Sequence, residues 1–288
     1  MSVQVDVAVS RRAQCGEGPV WDADAGVVHW VDIVQGEMLV TAFGTGETRA
    51  IRYPEMVGAV APRVGGGVVA AVASGFVGFD PDGIVDTRAD ILPPGVRMND
   101  AKTDPAGRFW AGSCDMSFAE GLGSLWRLDE NWEATPVLRG LALPNVLGWS
   151  PDARIFYLVE SQARQILRFG FDAETGTLTS PASVLVDADA FPHGLPDGLA
   201  VDARGHLWVA EYGGSAVHEF SPEGRRLRTV QLPTTQTTSC NFVGPALDEL
   251  WVTSAAQQID PADDADAGSI FRVQGLGAVG LPTAAFRG

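Results

Sequence analysis

The sequence predicts an all-β protein, a six-bladed β-propeller with four antiparallel strands in each blade. Its 288 residues include 34 glycines and 18 prolines, too many helix-breaking residues for a helical protein. A similar unit also recurs six times at intervals of about 40 to 50 residues, the spacing that is typical of propeller blades. We therefore expect a single domain over residues 1–288.

The first strand of this fold lies before the first repeated unit. Residues 3–9, with the sequence VQVDVAV, alternate apolar and polar side chains, which is typical of a half-buried strand. We expect this segment to be the outer strand that closes the last blade onto the first.

Each repeated unit continues with a polar or small entry segment, an apolar strand, a turn and a strand that carries an aromatic residue. The turns at Asp104–Gly107 and Asp202–Gly205 contain residues that favour type I turns. The aromatic residues that follow the turns predict packing between blades rather than a ligand site. The six units begin near Gly16, Val57, Met98, Pro144, Pro196 and Ser239.

Composition excludes several classes of partner. The net charge is −16, with 36 acidic and 20 basic residues, so we expect neither a nucleic-acid partner nor an anionic membrane surface. No apolar run reaches about 18 residues and no secretory signal is evident, which predicts a cytoplasmic protein. The widely separated Cys15, Cys114 and Cys240 predict reduced thiols.

The propeller topology predicts where a functional site lies. Innermost strands line a central channel, and the residues at their entry ends meet at one mouth. Two carboxylates buried there would be costly without a partner, so a cation is expected. Calcium, magnesium and manganese suit oxygen ligands, and zinc is a weaker choice without His or Cys. The alternative is that these polar residues only cap the blade ends. The six entry positions are Glu17, Gly58, Asn99, Asn145, Asp197 and Asn241.

Five ordered motifs closely resemble the regucalcin/gluconolactonase family, also called senescence marker proteins. The resemblance covers nearly the whole chain from Cys15 and implies a six-bladed propeller with one divalent cation at the channel mouth. Many members hydrolyse sugar lactones, so it also implies a small-molecule sugar lactone as substrate. The motifs are CGEGPVWD, RMNDAKTDPAGRFWAGS, LGWSPD, PDGLAVDARGHLWVA and TTSCNF.

The resemblance implies roles for particular residues. Glu17, Asn145 and Asp197 correspond to the metal ligands, with calcium as the first choice of ion. Asp197 is also our preferred general base, because a carboxylate that touches the metal can reach a bound water.

Three further positions correspond to substrate contacts, namely Arg97, Asn99 and Glu120. The neighbouring Asp100 is expected to support the metal or its water.

One departure from the family pattern bears on the substrate. Val146 stands beside a predicted ligand, where the family usually has a small residue, so the pocket can differ in shape. Two alternatives therefore stay open: a related hydrolase of another ester, an organophosphate or a biosynthetic intermediate, and a non-catalytic calcium-binding protein. The Arg97, Asn99 and Asp100 set argues against the second, because cation binding alone does not require it.

Overall fold

The computed structural model describes residues 2–288, and these form six antiparallel β-sheets arranged as the blades of a propeller. The predicted fold class is therefore confirmed.

Blades 1, 2, 3 and 5 each consist of four consecutive strands. Blade 1 contains β2 (Gly16–Asp22), β3 (Val27–Asp32), β4 (Glu37–Ala42) and β5 (Thr48–Arg52). Blade 2 contains β6 (Val57–Pro62), β7 (Val68–Val72), β8 (Gly75–Phe79) and β9 (Val85–Asp90). Blade 3 contains β10 (Val96–Thr103), β11 (Phe109–Asp115), β12 (Gly123–Leu128) and β13 (Ala134–Leu141). Blade 5 contains β19 (Leu195–Val201), β20 (Leu207–Tyr212), β21 (Ala216–Phe220) and β22 (Arg226–Gln231).

Blade 4 differs in its outer edge. The third strand pairs with two short segments instead of one outer strand, and Pro181, which has no backbone N–H to donate, lies between them. A single 3₁₀ turn at Ala188–Ala190 follows. The strands are β14 (Pro144–Trp149), β15 (Ile155–Glu160), β16 (Gln165–Asp172), β17 (Thr177–Leu178) and β18 (Ser183–Val186).

Blade 6 joins the two ends of the chain. It contains β23 (Thr237–Val243), β24 (Glu249–Ser254), β25 (Ile270–Gln274) and, as its outer strand, β1 (Gln4–Val9). Strand β1 pairs antiparallel with β25, from Gln4 opposite Gln274 to Val9 opposite Ile270. The predicted closure of the last blade by the first strand is confirmed.

The core lies between the blades. The second-strand aromatics Trp30, Trp110 and Trp208 are fully buried, and Trp208 packs edge-on against Phe242 of the next blade at 5.8 Å between ring centroids. The predicted packing role of these aromatic residues is confirmed. Because innermost strands have a blade on either side, a strand such as β6 is buried along its whole length.

The innermost strands share an irregularity near their beginnings. In five of them, two residues face one residue of the neighbouring strand, and β6 has a smaller shift at Gly58. Such β-bulges redirect side chains out of the regular alternation. They bring polar residues to the channel mouth without interrupting the apolar faces of the blades. The bulged pairs are Gly18–Pro19, Asn99–Asp100, Asn145–Val146, Asp197–Gly198 and Thr238–Ser239.

The last segment, residues 275–288, crosses the opposite end of the channel as a strap. Gly280 donates a backbone hydrogen bond to Leu247 at 2.8 Å, and Phe286 donates one to Pro62 at 2.8 Å. Phe286 is fully buried against Phe109. The strap therefore ties blade 6 to blades 2 and 3. Among residues 2–288, no helix is long and apolar enough to cross a membrane.

Candidate functional site

A cavity of about 350 Å³ opens at the channel mouth. Six residues have a predicted role in binding the metal or the substrate, and five of them line this cavity. Each of the five lies in the first part of an innermost strand. Residues from four separate blades thus meet at one place, as the propeller topology predicts. These five residues are Glu17, Arg97, Asn99, Asn145 and Asp197.

The side chain of Asn145 is held in one orientation. Its Nδ2 donates to Ser161 Oγ at 3.1 Å and also to Asp197 Oδ1. The Ser161 hydroxyl in turn donates to the Pro196 carbonyl oxygen at 2.7 Å. Because both amide hydrogens are taken, the carbonyl oxygen of Asn145 is left available as a ligand atom.

Arg97 and Asn99 form a polar wall beside these groups. Nη1 of Arg97 donates to Asn99 Oδ1 at 2.8 Å and to the Met98 carbonyl oxygen at 2.9 Å. The guanidinium carbon lies 5.8 Å from the centre of the Phe118 ring, within the range of a cation–π contact. Both side chains are therefore positioned before a ligand binds.

Three carboxyl groups are buried close together at the mouth, and their pKa values are raised. Burial and then the neighbouring Asp197 and Asp100 raise the pKa of Glu17 well above its usual range. Burial and then Asp100 raise the pKa of Asp197, and the Asn145 hydrogen bond only partly opposes this. Burial raises the pKa of Asp100 to about 6, although Lys102 opposes it. Carboxylates in this arrangement repel one another unless a proton or a cation is shared.

The donor set fits a divalent cation. Glu17, Asn145 and Asp197 expose only 6%, 6% and 8% of their surface and offer oxygen atoms, the ligands that hard cations prefer. Oδ2 of Asp100 is buried without any hydrogen-bond partner. Such an orphaned atom beside two other carboxylates is the chemistry that a cation or its water would satisfy.

Several lining residues had no signal in the sequence. Ser161 follows the second strand of blade 4, and Tyr212 ends the second strand of blade 5. Burial and then the neighbouring Cys15, Asp197 and Glu17 raise the pKa of Tyr212 to about 12. An apolar rim formed by Ile33, Val34, Met56, Met116 and Phe118 completes the cavity.

Three residues that the sequence analysis placed at or beside the site do not line the mouth cavity. Glu120 is exposed on the β11–β12 loop and does not line the cavity, so its substrate contact stays a prediction. Val146 is 3% exposed and packs between blades 4 and 5, so it does not narrow the cavity. Asn241 is not the mouth residue of blade 6: the bulge lies at Thr238–Ser239, and Asn241 lines a cavity at the other end of the channel.

A second acidic cluster has a structural role. Ligand atoms of Asp202, His206 and Glu219 lie within 4.8 Å of one another in blade 5. However, Asp202 accepts a hydrogen bond from the Trp208 indole at 3.3 Å, and Glu219 accepts one from Arg228 Nε at 2.7 Å. These donors already compensate the carboxylates.

Fold and mouth together define a class of protein, a six-bladed propeller with an oxygen-lined pocket at one end of its channel. Residues 15–256 match the family model described as the SMP-30/gluconolactonase/LRE-like region. The chain belongs to this family, which confirms the resemblance seen in its motifs.

Individual relatives match over nearly their full length. The chain is 33% identical to regucalcin of Danio rerio over 296 residues, covering 100% of this chain and 99% of that protein. It is 35% identical to the pentonolactonase XacC of Haloferax volcanii over 281 residues, covering 95% of each. The crystal structure of regucalcin from Agrobacterium tumefaciens, described as a calcium-binding protein, superposes with a TM-score of 0.93 at 28% identity, covering 98% of this chain and 96% of that one.

Proposed function

We propose that the protein is a divalent-cation-dependent lactonase that opens the ring of an aldonolactone. The observation that carries the proposal is the mouth cavity, where a donor set that fits a cation lies beside the Arg97 and Asn99 wall. The pentonolactonase relative supports this class of substrate. Calcium is our first choice of ion because all candidate ligands are oxygen atoms, and the regucalcin structure, described as calcium-binding, supports it. Magnesium, manganese and zinc are the alternatives.

The chain's own residues would bind and orient the lactone. Arg97 uses Nη1 within the protein, and its Nε and Nη2 have no partner among residues 2–288, so they are free to donate to substrate oxygens. Asn99 gives one amide hydrogen to the Pro144 carbonyl oxygen at 3.3 Å, which leaves the other for a hydroxyl or the ring oxygen. A cation held by Glu17, Asn145 and Asp197 would polarise the lactone carbonyl.

Ring opening then requires two proton transfers, one away from the attacking water and one to the ring oxygen that leaves. Asp197 accepts a proton from water as the water oxygen bonds to the carbonyl carbon. The bond between this carbon and the ring oxygen breaks, and the ring oxygen leaves as a hydroxyl after it takes up the proton that Asp197 accepted. Asp197 suits this role because its carboxylate faces the cavity and the Asn145 amide fixes one of its oxygens.

The test is proton release from a panel of pentono- and gluconolactones, with and without a chelator. Asp197→Asn should lower turnover by at least about 100-fold, the usual contribution of a general base, while the protein still folds. Asp189→Asn, at an exposed site, is the matched control and should retain activity.

Chelator-insensitive activity would remove the cation from the proposal. Activity only on other esters would favour the related hydrolase, and cation binding without any turnover would favour a calcium-binding protein.

We also propose a cytoplasmic location. Its support is the three cysteines, which are all free in the structure, as expected for a reducing compartment.

A further inference from the structure

A second cavity, of about 270 Å³, lies at the opposite end of the channel. Its walls come from the last residues of the innermost strands, including Ala101–Thr103 of β10, Gly148–Trp149 of β14 and Val201 of β19. Residues 281–284 of the strap cover it. The strap is anchored on both sides of this cavity, by the backbone hydrogen bonds of Gly280 and Phe286.

The only charged side chain in this lining is Lys102. It is also the only lysine in the chain, although lysine and arginine together number 20. Its Nζ donates to the Leu199 carbonyl oxygen at 3.0 Å, and it forms no ion pair with any carboxylate of residues 2–288. Two of its three N–H groups are therefore without an acceptor.

Two more polar groups of the same lining lack partners. Thr103 Oγ1 and Trp149 Nε1 are buried and make no hydrogen bond. An indole N–H can only donate, and a hydroxyl can donate. Asn241, also in the lining, donates one amide hydrogen to the Pro19 carbonyl oxygen at 2.9 Å and accepts from Phe242 N at 3.0 Å with Oδ1, so its oxygen is paired and one N–H is left over. The cavity thus has an excess of donors and one positive charge.

Apart from the hydroxyl of Ser150, which donates to Asp152 Oδ1 at 2.6 Å, and that of Thr283 in the strap, the rest of the lining is apolar. Side chains of Val20, Val60, Val201 and Leu281 face the cavity together with three prolines, which have no N–H. A sugar acid would bring more hydroxyl groups than the few polar groups of these walls can pair. A dianion such as phosphate would bring two charges against a single ammonium.

We propose that this cavity binds a short-chain aliphatic monocarboxylate. The carboxylate accepts hydrogen bonds from Lys102 and from the unpaired donors, and the alkyl chain packs on the valines. This site is separate from the channel mouth and does not rest on the proposed lactonase activity.

The experiment titrates butyrate into the protein by calorimetry. Butyrate should bind at one site, and the neutral isostere butyramide should bind at least about tenfold more weakly, because bonds to charged groups are the stronger ones. Lys102→Met should weaken butyrate binding by a similar factor. Arg52→Met, which removes an exposed arginine, is the matched control and should bind as the wild type does.

Two further measurements keep the proposal open to failure. Arg97→Met should retain butyrate binding, and its loss in this variant would place the anion at the channel mouth. If Lys102→Met does not fold, the rate at which a reagent acetylates Lys102 in the wild-type protein is measured instead. Butyrate should slow this acetylation and butyramide should not. No binding, equal binding of the amide, or tighter binding of inorganic phosphate would overturn the proposal.

Discussion

At the scale of single residues, the orientation of Asn145 decides whether the mouth can hold a cation. An asparagine offers two different atoms, and only its oxygen is a ligand. Ser161, which is 2% exposed, accepts one amide hydrogen and is itself fixed by its bond to Pro196. Ser161 therefore acts as a positioning residue for the proposed ligand set.

Replacement of Ser161 tests this role. Ser161→Ala should weaken calcium binding about 10- to 100-fold, the usual effect of losing a partner that orients a ligand. Calorimetric titration with calcium measures it, and circular dichroism checks the fold. Ser117→Ala, which removes an exposed hydroxyl, is the control. Unchanged calcium affinity in Ser161→Ala would show that Asn145 does not depend on this bond.

A buried pair in blade 5 makes stability depend on pH. Burial lowers the pKa of His218, and its hydrogen bond to Glu211 at 2.9 Å only partly offsets this. The pKa of His218 in the folded state thus lies below its unfolded value near 6.5. In the interval between the two values the unfolded chain binds more protons, so the folded state loses stability as the pH falls below about 6.5.

His218→Gln isolates this effect. We expect the free energy of unfolding in urea to fall less steeply between pH 7.5 and pH 5 in the variant than in the wild type. Titrating groups that do not contact His218, including Asp100, are present in both proteins and cancel in the comparison, so the difference reports on the His218–Glu211 pair. Identical pH dependence would exclude His218 as the cause.

At the scale of strands and turns, the sequence predicted most of the architecture because each blade repeats the same local chemistry. Strand β1 could be placed in advance, since its alternating pattern leaves it only an outer position. The residue of blade 6 that lies at the mouth could not be predicted, because a β-bulge shifts the alternation of side chains and nothing in the sequence indicates this bulge. Asn241 lies beyond the bulge and lines the cavity at the other end of the channel. Ser161 and Tyr212 reach the site from second strands, which the entry-position argument did not consider.

The turn between β10 and β11 depends on Asp104. This fully buried carboxylate accepts hydrogen bonds from the backbone N–H of Ala106 and Arg108, from Arg108 Nε at 2.6 Å and from the Trp110 indole at 3.0 Å. Asp104→Ala leaves these donors unpaired and should lower the free energy of unfolding by about 3–5 kcal/mol.

Asp129 supplies the matched control in the β12–β13 turn. It accepts only from the backbone N–H of Asn131 and Glu133, so Asp129→Ala should cost about 1 kcal/mol. Urea unfolding of both variants measures the difference. Equal losses would mean that the indole and guanidinium bonds contribute nothing.

At the scale of the whole molecule, stability depends on closing the ring. Val9 is 5% exposed and belongs to the cluster between blades 6 and 1, whereas Val7, two residues earlier, is 39% exposed. Val9→Asp would bury an unpaired charge at the closure and should destabilise the protein by several kcal/mol. Val7→Asp should change little. Scanning calorimetry measures both, and a normal transition in Val9→Asp would show that this contact is not needed for closure.

The pairing of β1 with β25 also means that, during synthesis, the first strand must wait for its partner until nearly the whole chain has been made. Strand β1 is made before every other strand described here, yet its partner is completed only at Gln274. At about 5–20 residues per second, the nascent chain carries β1 without its partner for roughly 13 to 50 seconds. An unpaired apolar strand is a target for chaperones and for aggregation, and the charge of Asp6 at its centre opposes the latter.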